Sequence, residues 1–387
     1  MPPRGVWVYH PGMDSHRILA LEPWYAGSHR AVADSITRHS RHGWRWLTRT
    51  GGGVRWCLRH AGVVFAEELR AQHVADVEAD LVFVSSLCSL SDFRAAAPEH
   101  VRRLPHVLYM HENQAAYPAS DSVDLATKDR DVHLAFTNLA SMVAADRVLF
   151  NSEYNLQSFI AGMDSILRHA PYKVDPQWSE RLVDKSLIAW PPVEDVDAAG
   201  TALHNPGAGA YPDGAGGRGV VRVAWPHRWE HDKGCGELLD LVERCRDDPR
   251  YEFRWSILGH RFKSVPAEMD RLKDRHSDII DHWGGLESRK DYMAALAACD
   301  WVTSTARHEF FGIAVVEAML AGCLPWLPDR LSYPELVPES IRGVSPWNPP
   351  ADPRDARARI IEHLGPATAV RAVTRIDQAL AELIDPP

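Results

Sequence analysis

WVTSTARHEFFGIAVVEAMLAGCLPWL, residues 301–327, is the stretch from which the fold can be read. Trp301–Ser304 predicts a short buried strand, Gly312–Ala321 a helix and Leu324–Leu327 the next strand. Strand, loop, helix and strand in that order make the repeating unit of a doubly wound parallel sheet. The same alternation runs upstream. Val220–Trp225, Phe253–Leu258 and Ile279–His282 predict strands, and Cys235–Arg246, Val265–Arg275 and Arg289–Ala298 predict helices.

Residues 191–219 interrupt this pattern with seven Gly, four Pro and few large apolar residues, so they predict a linker. Before it the alternation appears a second time. Ile18–Leu21, Leu81–Val84, Val107–Met110 and Val148–Phe150 predict strands, and Ser91–Ala97 and Asp131–Ala145 predict helices. The expected fold is therefore α/β, with two Rossmann-like doubly wound domains facing a central cleft. The boundaries are 1–190 for the N-terminal domain, 191–219 for the linker, 220–365 for the C-terminal domain and 366–387 for a terminal packing helix. Ligands in such sheets bind outside the C-terminal ends of the strands.

The bulk numbers exclude several classes. The chain has 387 residues, 45% apolar and 25% charged, which is ordinary globular composition. Its formal charge of −9 restricts any nucleic-acid binding to a local basic patch. Six scattered cysteines with no CxxC pair argue against a zinc ribbon or a disulfide framework and fit reduced thiols in the cytoplasm. Met1–Arg17 lacks the apolar core of a signal peptide, and the most apolar run, Gly312–Leu327, contains Glu317 and Pro325. A soluble cytoplasmic protein with no membrane span is expected.

Four motifs carry chemistry. In the first, Glu309 stands in a loop and Glu317 just over one turn into the following helix, with seven residues between them. If Gly312 and Ile313 open that helix, their free N–H groups and the helix dipole suit a pyrophosphate. Glu309 is then placed to accept hydrogen bonds from sugar hydroxyls, and Glu317 from a ribose diol. The spacing fits a loop acid and a solvated helix residue equally well. In the second, Trp225-Pro-His-Arg-Trp-Glu-His-Asp-Lys-Gly234 puts Arg228 and Lys233 on one strand-to-helix loop, where they suit a departing diphosphate. Glu230 and Asp232 leave a surface charge cluster open. Zinc is weakly supported, because His227 and His231 lack a nearby third ligand and Gly312 stands where an HExxH string starting at His308 needs its second histidine. The third motif, His111-Glu-Asn-Gln114, ends a buried strand, where His111 either faces a reacting sugar or caps. The fourth, Trp24-Tyr-Ala-Gly-Ser-His29, places Gly27 and Ser28 at the start of a helix, but it is not a dinucleotide fingerprint.

Together these segments resemble the GT-B glycosyltransferases of family 4, and more closely the tRNA-queuosine α-mannosyltransferases. The matching strings are Glu22-Pro-Trp-Tyr-Ala-Gly-Ser-His29, Tyr109-Met-His-Glu-Asn-Gln114, Phe150-Asn-Ser152, Trp225–Lys233, His282-Trp-Gly284, Ser304–Gly312 and Tyr333-Pro-Glu335. The resemblance covers roughly residues 18–340. It implies a GDP-mannose donor, retention at the sugar, and as acceptor the queuosine cyclopentenediol of tRNA(Asp). It also implies a catalytic set of His111, Glu309, Arg228 and Lys233, and donor contacts from Gly27, Ser28, His308, Phe311, Gly312, Ile313 and Glu317. No metal or other cofactor is implied.

One feature points to RNA independently. Residues 35–66 hold six arginines, no acidic residue and three tryptophans. Arg38, Arg41, Arg45, Arg49 and Arg55 are candidates for phosphates, and Trp44 for stacking on an unpaired base. The alternative is that the tryptophans pack into the core. Two rival functions stay open: a family-4 transferase acting on a lipid, glycan or small molecule, and a non-catalytic nucleotide-sugar or RNA-binding protein.

Overall fold

Strands that are apolar on both sides need cover on both faces, and two parallel sheets meet that need here. The computed structural model describes residues 15–71, 78–117, 132–194, 219–261 and 265–386. It divides into two units, one running to Glu194 and taking up the chain again from Pro366, the other running from Asp195 to Gly365.

In the first unit the chain runs β1 (Arg17–Glu22), α1 (Gly27–His39), β2 (Gly43–Thr48), α2 (Val54–Ala71), β3 (Leu81–Ser85), α3 (Leu90–Ala96), α4 (Glu99–Arg102) and β4 (His106–Met110). It continues through α5 (Val132–Ala144), β5 (Arg147–Phe150), α6 (Glu153–Arg168), α7 (Trp178–Asp184) and β6 (Ser186–Ile188). The sheet order is β2-β1-β3-β4-β5-β6, with every pair parallel. Leu19, Leu21, Val84, Leu108, Met110 and Phe150 pack on one face with Phe65, Phe93 and Phe159 from α2, α3 and α6. Aromatic rings fill part of the other face: Trp44 stacks on Trp46 with centroids 5.4 Å apart, and Phe83 meets Trp44 edge-on at 5.3 Å.

The second unit contains β7 (Gly219–Pro226), α8 (Cys235–Arg246), β8 (Tyr251–Leu258), α9 (Ala267–His276), β9 (Ile280–Gly284), α10 (Arg289–Ala297), β10 (Trp301–Thr303), α11 (Ile313–Leu320), β11 (Leu324–Trp326), α12 (Tyr333–Leu336) and α13 (Pro353–His363). Its order is β11-β10-β7-β8-β9, again parallel throughout. The chain builds outward from β7 through β9 and then returns to place β10 on the other side of β7. The reversal between β7 and β10 is the topological switch point, where ligands bind doubly wound sheets. The loops leaving β7 and β10 are residues 227–234 and 304–312, which carry the two strongest motifs.

The last helix, α14 (Ala369–Ile384), packs on α1 of the first unit. Its buried Asp377 accepts from Ser40 Oγ at 2.7 Å and from Arg41 N at 2.9 Å, and its carbonyl lies 3.3 Å from His42 Nε2. A carboxylate left without partners in such a place is costly, and these bonds satisfy it.

The structure revises several expectations. The 366–384 helix is part of the first unit's fold. Residues 191–194 also belong to that unit, through Val193 N to Ala367 O at 2.8 Å, whereas 195–218 of the expected linker lie outside the described residues, as do 1–14 and Asp131. The helix expected from Val265 starts at Ala267, with Pro266 in an extended conformation at its N-cap. Two strands, β2 and β6, were not among the expected strands, although for Trp44 and Trp46 the alternative reading, packing into the core, is the one realised. The first lies inside the basic, aromatic stretch, so Trp44, expected to stack on a base, is 1% exposed and fixed by its Nε1 donating to Ser40 Oγ at 2.8 Å. Its indole faces are occupied by core rings.

Candidate active site

The second unit's site is built where β7 and β10 end. Two glycines let the crossing loops approach. Gly234 has φ +67° and a Cβ there would stand 2.2 Å from Thr305 O, and Gly259 has φ +141° with His227 O at 2.0 Å. Only glycine fits both the left-handed backbone and the close approach. The loops are then stitched together. Arg307 N and His308 N donate to Asp232 O at 2.8 and 3.3 Å, and Thr305 Oγ1 donates to Lys233 O at 2.9 Å.

Lys233 is the cation these loops enclose. It is 6% exposed, donates to His308 O at 2.9 Å, and has the carboxylates of Asp232 at 2.9 Å and Glu309 at 3.4 Å. Burial works against its charge, but the Glu309 and Asp232 carboxylates outweigh burial and hold the ammonium above its ordinary pKa. Gly312 caps α11 with φ +95°, and its carbonyl accepts from Val315 N and Val316 N at 3.0 Å, so the Ile313 and Ala314 amides lie ahead of the first helical bonds at the positive end of the dipole. Phe311 is buried below this turn, and its carbonyl accepts from Ser332 Oγ at 2.9 Å. A buried ammonium, a helix N-terminus and a half-buried acceptor carboxylate on neighbouring loops can bind a polyol phosphate.

The other residues expected in this site divide into two groups. His308 is buried, with its ring edge-on to Phe310 at 4.4 Å. Glu317 is buried in α11 and accepts from Arg289 Nη1 at 2.7 Å. Arg228 is exposed and pairs with Glu230 at 3.3 Å, whereas Lys233 is enclosed. His227 is buried and His231 exposed, which does not favour a shared ion.

Burial, reinforced by Lys233, pushes His227 down to about 3. The unfolded chain therefore binds a proton between pH 6.5 and 3 that the native chain refuses. This contribution to stability is complete above about pH 6.5 and falls by about 1.4 kcal/mol per pH unit as the solution is acidified towards 3. Urea midpoints measured on the whole chain from pH 7.5 to 4.5 should show a shallower pH slope for His227→Gln than for wild type. Equal slopes would refute the assignment.

The first unit holds a second cluster at the same kind of edge. Gly27 opens α1 with φ +52°, and it and Ser28 are exposed. His111 follows β4 and Glu22 ends β1. Glu22 is 1% exposed. Its Oε1 accepts from Trp24 N at 2.8 Å, and its Oε2 lies 3.1 Å from His29 Nδ1. His29 and His111 stack with centroids 4.1 Å apart and planes at 33°, and Tyr109 meets His111 edge-on at 4.6 Å. Burial first, and His29 second, keep the His111 imidazole well below its ordinary pKa. Ligand atoms of Glu22, His29 and His111 lie within 4.8 Å of one another. The two rings are tilted against each other, and within the trio the hydrogen bond runs between Glu22 and His29. Sequence reading singled out His111 and missed its partners. The seven-residue step from Glu22 to His29 across a glycine turn was the available signal.

Comparisons with known proteins agree on a direction. The family model described as tRNA-queuosine alpha-mannosyltransferase N-terminal matches residues 17–193. A tRNA-queuosine alpha-mannosyltransferase of Drosophila melanogaster is 30% identical over 335 residues, covering 83% of this chain and 82% of that protein. A GDP-mannose:cellobiosyl-diphosphopolyprenol alpha-mannosyltransferase of Xanthomonas campestris is 31% identical over 119 residues, 30% of this chain and 31% of its own. Among solved structures, a UDP-forming alpha,alpha-trehalose-phosphate synthase from Burkholderia xenovorans superposes with a TM-score of 0.60 at 14% identity, over 96% of this chain and 99% of that one. That likeness shows the fold, the two-Rossmann GT-B class. Among the described residues no helix is long and apolar enough to cross a membrane.

Proposed function

Because the chain belongs to the tRNA-queuosine alpha-mannosyltransferase family, we propose that it transfers mannose from GDP-mannose to the cyclopentenediol of queuosine in tRNA(Asp), with retention at the sugar. It is a glycosyltransferase, and the observation that carries the donor half of this reading is the enclosed Lys233 beside the α11 terminus and Glu309. The mannosyltransferase of Xanthomonas campestris, whose name specifies GDP-mannose, supports the donor.

In this reading Lys233 and the Gly312–Ile313 amides hold the diphosphate, with Arg228 adding charge from the exposed side. Glu309 accepts sugar hydroxyls. Glu317 accepts the ribose diol, since a carboxylate bonded to Arg289 and Tyr292 retains further lone pairs. His111, held by the Glu22–His29 stack, contributes from the first unit by hydrogen bonding to the sugar. The sugar C1–O bond to the β-phosphate breaks and a C1–O bond to the acceptor forms on the same face. The acceptor hydroxyl's proton passes to the departing phosphate oxygen, so charge and atoms balance without a protein nucleophile. The positive charge comes from side chains and a helix terminus, and the mechanism assigns no role to a metal. The cytoplasm, where tRNA is modified, is the proposed location.

The test is transfer of label from GDP-mannose to tRNA(Asp) with and without queuosine. Label on the modified tRNA alone is the expected result. GDP release with label on neither tRNA would keep the donor and remove the acceptor. A lipid, glycan or small-molecule acceptor would then be sought.

A further inference from the structure

The six arginines of residues 35–66 form a single run in the sequence, but the fold separates them. Arg38 and Arg41 lie before β2, at the N-terminal edge of the sheet, and Arg38 is paired with Glu194. Arg45 lies within the strand. Arg49 follows β2 at the opposite edge, about 20 Å away for six extended residues, where it pairs with Glu68 and lies over the Phe65 ring at 4.8 Å. The tryptophans separate in the same way. Trp44 and Trp46 are core, whereas Trp56 is 69% exposed.

Trp56 stands in the first turn of α2, which the Gly51–Gly53 turn delivers to the sheet's C-terminal edge, the edge that also carries Glu22 and His111. Arg55, Arg59 and His60 are exposed beside it. The His60 ring meets Trp56 edge-on at 5.9 Å, and Arg59 Nη1 is held by Thr137 Oγ1 at 3.0 Å. The opposite side of α2 is fixed in place. Cys57, Leu58, Ala61 and Phe65 are buried, and a Cβ on Gly62 would stand 2.5 Å from Ser89 O, so the helix lies tight against the start of α3. A large apolar ring therefore projects from a rigid helix whose first two turns also expose Arg55 and Arg59, with no acidic residue from position 35 to 66, in a chain of net charge −9.

We propose that the start of α2 (Arg55, Trp56, Arg59 and His60) receives unpaired nucleotides of the RNA acceptor, with Trp56 stacked on a base and the two arginines on the flanking phosphates. A π-face suits any base, guanidinium charge suits the backbone, and a preorganised helix loses little entropy on binding. The proposal rests on the tRNA-acceptor reading above and narrows it, moving recognition away from Trp44 and Arg38 to the sheet edge that carries His111.

The experiment uses the full chain, labelled GDP-mannose and queuosine-containing tRNA(Asp). Trp56→Ala should raise the half-saturating tRNA concentration about tenfold or more, leave the half-saturating GDP-mannose concentration at saturating tRNA within twofold, and recover most of the loss as Trp56→Phe. Arg55→Ala should reduce the slope of log affinity for tRNA against log salt by about one. Unchanged tRNA saturation in Trp56→Ala and Arg55→Ala, with wild type active on tRNA, would overturn the proposal and leave the acceptor reading standing. A change in particle size on Trp56→Ala, with tRNA saturation unaltered, would make the patch a protein interface and likewise overturn it. Failure of wild type to bind or label tRNA would remove the acceptor reading itself.

Discussion

Lys233→Ala should lower kcat for mannosyl transfer by about three orders of magnitude, far more than the accompanying fall in the thermal unfolding midpoint explains, since the chain should remain folded at assay temperature. The reasoning starts from geometry. The ammonium is enclosed by two stitched loops and bonded to the His308 carbonyl, so it sits in a fixed place without reorganising during reaction. Removing one preorganised donor from a developing oxyanion typically costs about 10²–10³ in kcat. Here the loss is compounded, because Asp232 and Glu309 would lose their shared cation and present uncompensated negative charge to the departing diphosphate. Glu309 is partly exposed and can be hydrated, but Asp232 Oδ2 is buried against the ammonium, so the variant should fold with a lowered unfolding midpoint. Lys233→Arg should not rescue, since a planar fork cannot occupy an ammonium's enclosed position between those carboxylates. Single-turnover rates at saturating donor and tRNA are the measurement. Wild-type turnover in Lys233→Ala would take Lys233 out of the mechanism.

The contrast between Lys233 and Trp44 shows what a sequence reveals and what it conceals. Strands such as Ile18–Leu21 and Val148–Phe150 were legible because burial on both faces demands unbroken apolar runs, a property local to the segment. The loops after β7 and β10 were legible for the complementary reason. Clusters of charge next to such runs must lie at a sheet edge, and the glycines at 234 and 312 supply the left-handed backbone that opens the following helices. The strand β2 was not legible. Gly43–Thr48 alternates tryptophan with arginine and polar residues, a pattern that fits a solvated basic surface as well as a strand whose tryptophans point inward. Which one is realised depends on Ser40 and Thr37 lying in reach of the indole nitrogens. Pairings across long separations were equally hidden. Arg289 reaches Glu317 from another helix, and Asp377 reaches Ser40 from the far end of the chain. Nothing in the spacing of residues encodes these contacts; they appear only when the topology brings the elements together.

His111→Ala should reduce kcat by about 100-fold with a much smaller change in half-saturating GDP-mannose, and the shape of the pH profile should identify why. Burial and the stacked His29 ring hold the His111 imidazole well below 6.5, so it is neutral throughout the range in which a tRNA-modifying enzyme works. A neutral ring cannot deliver a proton as a general acid, but it can donate one N–H and accept at the other nitrogen. Its contribution to transfer should therefore be a hydrogen bond to the sugar that strengthens as charge develops at the anomeric carbon, which lowers kcat when lost while leaving ground-state binding largely intact. The sign follows directly. Because the native pKa is depressed, protonation of His111 should not produce an acid limb near pH 6.5, and kcat between pH 6 and 8 should be level in wild type and level, at a lower value, in His111→Ala. Glu22 and His29 act one step further back. Glu22 accepts from His29, His29 stacks on His111, and neither need touch the sugar, so both are positioning residues. His29→Ala removes the second histidine and frees the His111 ring on one face. Burial, the larger cause of the depressed pKa, remains, so the direction of change is upward and the His111 ring titration followed by NMR should move that way relative to wild type. A merely structural role for the stack would lower activity without moving that titration. An acid limb near 6.5 already present in wild type and abolished in His111→Ala would show instead that His111 titrates during turnover, and the neutral-imidazole mechanism would have to be given up.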